Sequence, residues 1–206
     1  MNHSKKVILL DDEPELLKAL SRLLRAEGFD VETHENATSF LAAPRPEGPA
    51  CLLLDESMPG MTGSQLHQRL VHEETHIAIV FLTARVDIPM TVRAMKAGAV
   101  DFLTKPVKDK ELLRILKIAM QRSCELLEKN RELADLRSRH EQLTAREKEV
   151  LGHVASGIPN KQIAALLGLV EQTIKVHRGR VMTKMGADSF AQLVLHAERL
   201  GLIASR

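Results

Sequence analysis

Five short apolar runs, at 7–10, 31–33, 51–54, 77–82 and 100–103, punctuate the first 120 residues. Between them stand stretches with helical spacing, such as Leu16, Leu17, Leu20, Leu23 and Leu24, and later Leu112, Leu113 and Leu116. A continuous apolar run leaves no face for water, so each run predicts a strand covered on both sides, with amphipathic helices as the cover. Five such units predict a doubly wound α/β domain with a five-stranded parallel sheet. That architecture binds ligands beyond the carboxyl ends of its strands.

The pattern then changes. From Asp109 no strand or strong breaker appears before Gly152, and Leu112, Ala119, Leu126, Leu133 and His140 recur every seven residues, with Ile115 and Leu136 on the same stripe. The last helix of the α/β domain is expected to run on through 121–141 as a long helical linker. Its later half is rich in charge and thin in apolar positions, which suits either a transient coiled coil or a solvated spacer. Residues 142–206 hold no strand pattern. Thr144 and Glu147 form a capping box, Gly157 and Pro159 end the helix it starts, and Asn160 is placed to cap a short helix that Gly168 closes. Two more helices are predicted, over about 171–185 and 189–200. Four short helices with a tight Gly-containing turn between the middle two describe a helix-turn-helix module, all-α beside the α/β unit.

Composition narrows the function classes. The 206 residues include five Phe and neither Tyr nor Trp, which excludes base-stacking platforms of the kind single-strand and RNA binders use. Cys51 and Cys124 are the two cysteines and have no ligand spacing, so neither a disulfide framework nor structural zinc is expected. No signal peptide or membrane span is visible, and a cytoplasmic protein is expected. Charge separates the halves. Residues 1–120 carry 15 basic and 17 acidic groups, and residues 142–206 carry nine and five, so the tail is the part suited to an anionic polymer.

The strand ends collect chemistry. The first strand runs into Asp11-Asp12, the third into Asp55, the fourth into Thr83 and the fifth into Thr104-Lys105-Pro106. In a doubly wound sheet these ends are neighbours. Carboxylates held that close repel unless a hard cation joins them, and Mg²⁺ fits because it takes one or two carboxylates, water and a phosphate. A strand-end Asp nucleophile also occurs in phosphatases and phosphotransferases, which typically need a second acid two residues on. Ser57 stands there, against turnover of external substrates.

These stretches, VILLDDEP, LLLDESMPGMTG, FLTAR and IPMTVRAMKAGAVDFLTKP, resemble the receiver domains of two-component response regulators over about residues 5–120. The resemblance implies that Asp55 accepts a phosphoryl group from the phosphohistidine of a sensor histidine kinase, with only self-phosphorylation and slow acyl-phosphate hydrolysis as chemistry. It implies that Asp11, Asp12, Asp55 and the Ser57 carbonyl hold Mg²⁺, that Thr83 and Lys105 contact the phosphoryl oxygens, and that Thr83 and Phe102 form the switch. Glu56 is expected to face away from the pocket by strand alternation. Since every pocket residue is present, a regulator indifferent to phosphorylation is the lesser alternative.

Residues 142–206, through LTAREKEVL, GIPNKQIAALLG and QTIKVHRGRVMTKMG, resemble the LuxR/FixJ-type output domain, which implies promoter DNA as a partner, RNA polymerase as a further one, and a homodimer on phosphorylation. Ile174, His177, Val181 and Met185 share the helix face expected to pack. Gln172, Lys175, Val176, Gly179 and Thr183 share the opposite one, with Thr173 and Arg180 beside it. Gln172 suits adenine, Lys175 guanine and Val176 a thymine methyl, whereas Lys161, Arg178, Arg180 and Lys184 suit phosphates. Val170 stands where a capping Ser is often found, and Gly179 where relatives can carry a long base-reading side chain. Arg93, Lys96, Asp101 and Arg114 are candidates for a charged dimer face.

Overall fold

Each apolar run becomes a strand: β1 Lys6–Leu10, β2 Asp30–His34, β3 Ala50–Asp55, β4 Ala78–Thr83 and β5 Asp101–Thr104. The computed structural model describes residues 5–85 and 87–203, and its packing divides the chain between Glu128 and Lys129. In the first unit all five strands are parallel, in the order β2-β1-β3-β4-β5. The order reverses between β1 and β3, which opens a crevice at their carboxyl ends.

Strand alternation sorts the core into two layers. Val7, Leu9, Cys51, Leu53, Val80, Leu82 and Leu103 face α1 (Pro14–Ala26) and the first turns of α5 (Asp109–Glu141), where Leu17, Leu20, Leu24, Leu112, Ile115, Leu116 and Ala119 close the layer. Ile8, Leu10, Leu52, Leu54, Ile79 and Phe81 face α2 (Ala37–Ala42), α3 (Gly63–His72) and α4 (Ile88–Lys96), with Phe40, Leu66, Leu70 and Ala94 as cover. The helix starts are set locally. Thr62 and Gln65 build a capping box for α3, Asp87 caps α4 through the Met90 N–H, and a proline opens α1.

The second unit holds α6 Ala145–Ala155, α7 Asn160–Leu167, α8 Glu171–Met185 and α9 Phe190–Arg199. The Thr144–Glu147 capping box forms, and Gly168 ends α7 in the left-handed conformation at φ 65°. Asn160 does not cap α7. It is the first residue inside the helix, behind Pro159, and its Oδ1 accepts from Arg178 Nη1 at 3.4 Å.

The stretch expected as a helical linker over 121–141 is helical, and its later part packs with the second unit. From Lys129, α5 belongs with the second unit. Leu136 is 5 % exposed within the core that Leu143, Val150, Leu151, Ile163, Ile174, Val181, Met185 and Leu193 build. Arg199 reaches back to Glu132 at 2.9 Å. Of the stripe, Leu136 is the leucine buried in this core, whereas Leu126 and Leu133 are half-buried.

Candidate functional site

β1 and β3 deliver Asp11 and Asp55 to the crevice where the strand order reverses, both almost wholly buried, and Asp12 follows at the rim. One oxygen of each of Asp11, Asp12 and Asp55 lies within 4.8 Å of the others. Lys105, the first residue after β5, projects its Nζ into this group at 2.7 Å from Asp11 Oδ2, 2.9 Å from Asp55 Oδ1 and 2.9 Å from Glu13 Oε1. The peptide bond that follows it, Lys105-Pro106, is cis. Burial alone disfavours the ammonium, but the carboxylates of Asp11, Glu13 and Asp55 outweigh it and push its pKa up. Burial pushes the Asp11 carboxyl up, against the pull of Lys105 and of the Glu13 N–H that donates to its Oδ1 at 3.0 Å.

Asp55 Oδ2 accepts from the Ser57 N–H at 2.8 Å, so its two oxygens are held at different angles by backbone and ammonium. Thr83 is 4 % exposed, and its hydroxyl donates to the Arg85 carbonyl at 2.6 Å. Phe102 is half-buried and stacks flat on Phe81, with ring centroids 4.8 Å apart, while His67 of α3 meets the edge of Phe81 at 5.5 Å. Glu56 leaves the crevice as alternation requires. Its Oε2 accepts from Ser64 Oγ at 3.0 Å, and burial raises its pKa, with Asp55 and Asp87 adding to the effect.

Two participants escaped the sequence reading. Glu13 stands third in the DDE run and shares Lys105 with the buried carboxylates. Gly63 opens α3 so close to the acceptor strand that a Cβ there would lie 2.5 Å from the Asp55 carbonyl oxygen. The MPGMTG stretch held the glycine in view, but nothing local shows which backbone it must approach. The donors fit a hard divalent cation. All are carboxylate oxygens, and Asp11 Oδ2 is buried without an aligned hydrogen bond, its charge met by the Lys105 ammonium.

In the second unit α8 presents the two faces expected of it. Ile174, Val181 and Met185 are buried and His177 half-buried, its Nδ1 enclosed without a hydrogen-bond partner among the described residues. Gln172, Lys175, Val176, Gly179, Arg180 and Thr183 are exposed, as is Lys161 on α7, and Thr173 is half-buried with its N–H on the Val170 carbonyl. Lys175 rests 3.3 Å from Glu171 one turn back. Val170 supplies no side-chain cap, as its chemistry dictates. Two cations expected on phosphates have partners inside the protein. Arg178 lies over the Phe190 ring at 5.1 Å and reaches Asn160. Lys184 is committed to Glu147 Oε2 at 2.7 Å, because a carboxylate 2 % exposed needs a counter-charge.

Comparison with known proteins agrees with this division. Residues 7–117 match the response regulator receiver domain, and residues 141–197 match the bacterial regulatory proteins of the luxR family. Nodulation protein W of Bradyrhizobium diazoefficiens is 43% identical over 97% of this chain and 88% of its own. The chain belongs to the two-component response regulators with a LuxR-type output domain. The transcriptional regulatory protein FixJ of Rhizobium meliloti is 37% identical over 91% of this chain and 92% of its own. Among solved structures, response regulator StyR has a TM-score of 0.71 at 43% identity, covering 95% of this chain and 99% of that one. Full-length FixJ from B. japonicum has a TM-score of 0.54 at 32% identity, covering 97% and 98%.

As a response regulator the chain pairs a receiver with a DNA-binding domain, and its two domains imply a histidine kinase and promoter DNA as partners. The family is regulatory rather than a class of enzymes with external turnover. Among the described residues no helix is long and apolar enough to cross a membrane.

Proposed function

We propose that Asp55 is the phosphoacceptor through which a sensor histidine kinase controls promoter binding by α8. The observation that carries this reading is the crevice itself, where Asp11, Asp12 and Asp55 converge within 4.8 Å and Lys105 touches the central carboxylate at 2.9 Å. A carboxylate oxygen of Asp55 attacks the phosphorus of a phosphohistidine, the P–N bond breaks, and the imidazole leaves with a proton in place of the phosphoryl group. Lys105 neutralises charge on the phosphoryl oxygens as it develops. Asp11, Asp12, Asp55 and the Ser57 carbonyl would hold Mg²⁺, which when bound supplies further neutralisation of that charge. Slow hydrolysis of the acyl phosphate then resets the switch.

Thr83 carries the signal outward. Its hydroxyl has only to leave the Arg85 carbonyl to meet a phosphoryl oxygen, and Phe102 has only to leave the outer face of Phe81 to follow. The surface this alters bears Ile88, Val92 and Met95, all exposed along α4, together with Arg93, Lys96, Asp101 and Arg114. Arg114 already lies 4.0 Å from Asp101 within one chain, so a two-fold axis needs only to exchange such pairs. On DNA, Gln172, Lys175 and Val176 read base edges, with Thr173 at the helix start, and Gly179 leaves shape or water to be read. Lys161, Arg178 and Arg180 meet phosphates. Acting on chromosomal promoters places the protein in the cytoplasm.

Treatment with acetyl phosphate and Mg²⁺ should label the wild type and leave Asp55→Asn unlabelled, because the amide is no nucleophile. Labelling of the variant at wild-type stoichiometry would remove Asp55 from the role. The same treatment should double the gel-filtration mass of the wild type and tighten DNA binding, and the dimer should weaken as salt screens the charged pairs. A phosphorylated monomer that binds DNA tightly at about ten micromolar, well above the Kd of a typical specific site, overturns control by dimerisation.

A further inference from the structure

The two ends of α8 are held differently: Ile174 anchors its first turns in the core without a side-chain cap, and its last carbonyl is held by side chains from outside the helix. At its start Val170 offers no side-chain acceptor, and the Thr173 N–H turns instead to the Val170 carbonyl. At its finish three residues from the close of α5 and just beyond it take hold. Arg139 donates from Nη1 to the Met185 carbonyl at 3.3 Å, while Asp135, one turn back on α5, holds its Nε at 2.8 Å. The Gln142 carbonyl accepts from Lys184 Nζ at 3.2 Å. Lys184 and Arg139 are also the cations a helix C-terminus favours, since its last carbonyls carry partial negative charge.

Gly186 makes the fit possible. It ends α8 in the left-handed conformation at φ 63°, and the space where a side chain at 186 would begin is filled by the Arg139 guanidinium. The Gly186 and Ala187 N–H groups cover the Thr183 and Met182 carbonyls, and the Met185 carbonyl is met from outside the helix, by Arg139 and by the His196 side chain of α9. Leu136 and Leu143 anchor the same stretch in the core that holds Ile174, Val181 and Met185.

We propose that Arg139 is a positioning residue for DNA reading: by clasping the end of α8 at Met185 and Gly186 it sets the tilt at which Gln172 and Lys175 enter the groove. The inference rests on the reading of α8 as the recognition helix. Its leverage is geometric. Gln172 lies 13 positions before Met185 in α8. That is about 20 Å along the axis, so a tilt of about 5° carries it nearly 2 Å, more than a base-edge hydrogen bond tolerates. Phosphate contacts by long, flexible cations survive such a shift, so the loss falls on discrimination rather than on attraction.

The test uses the full chain treated with acetyl phosphate and two probes: a duplex enriched from random DNA by the wild type, and the unselected random duplex. Arg139→Gln should lower affinity for the enriched duplex about tenfold, the equivalent of one hydrogen bond from a charged donor, and leave the random duplex within about twofold. Labelling at Asp55 should be unchanged, and Arg139→Lys should recover part of the ratio. Gly186→Ala, which displaces the guanidinium, should compress the same ratio, and the double variant should compress it no further than the stronger single change. A ratio unchanged in Arg139→Gln, or affinities for both probes falling together in step with a lower Tm, overturns the proposal. A wild type that enriches no duplex overturns the DNA-reading function itself, and the proposal with it.

Discussion

At the scale of single residues, two buried carboxylates show how partners decide behaviour. Asp11 is pushed up by burial, with Lys105 only partly compensating. Glu147, equally enclosed, is pulled down to about 2 by the Lys184 ammonium and by the Thr144 N–H it caps. A carboxylate with a lowered folded-state pKa contributes stability that is complete above its ordinary value of 4.5 and is lost as pH falls through about 2. The wild-type second unit should therefore lose urea resistance between about pH 5 and pH 2. Glu147→Gln should cost about 2 kcal/mol at neutral pH, as for a hydrogen bond between charged groups, and should flatten that acid limb. Urea midpoints of both proteins across the window check this, and a variant with the wild-type acid slope would assign that slope elsewhere.

At the scale of elements, α8 and α3 differ in how they begin. Thr62 and Gln65 give α3 reciprocal caps, while α8 starts bare at Val170, 69 % exposed. An exposed valine there adds no packing, so a hydroxyl can be introduced without loss of core. Val170→Ser should raise the stability of the second unit by about 1 kcal/mol through a cap on the orphan N–H groups. Thermal unfolding measures it, and a fall in Tm would mean that Val170 packs in a way its exposure hides. Gly63 marks the opposite case, a helix start that tolerates no addition because the Asp55 backbone lies against it.

At the scale of the whole molecule, the consequence of α5 concerns where the output unit begins. A fragment cut at 142, the boundary suggested by the capping box, discards Leu136, the Arg139–Met185 bond and the Glu132–Arg199 pair. A fragment from 129 keeps them. Loss of one buried leucine and one charged hydrogen bond amounts to roughly 4 kcal/mol, a large part of what a small domain possesses. Residues 129–206 should thus unfold cooperatively and at higher urea than 142–206. Equal midpoints would show that α5 contributes nothing to the output core.

The sequence alone determined the two folds, the members of the crevice and the exposed face of α8. Continuous apolar runs admit few environments other than a covered parallel sheet, and chain order then brings Asp11, Asp12, Asp55, Thr83 and Lys105 to one edge of it. Helical periodicity likewise separates Ile174, Val181 and Met185 from Gln172, Lys175 and Val176. Tertiary structure decided which partner each polar group takes. Glu13 and Lys105 stand 92 positions apart, and Lys184 and Glu147 stand 37 apart. Nothing local distinguishes a lysine bound for phosphate from one that neutralises a buried carboxylate, since both are exposed-face cations on a helical wheel. The same holds for 121–141. A charged helix with a thin apolar stripe reads alike whether a given position meets water or the next core, and for Leu136 the packing against Leu143 and its neighbours decides, because burial depends on what the rest of the chain brings to that face.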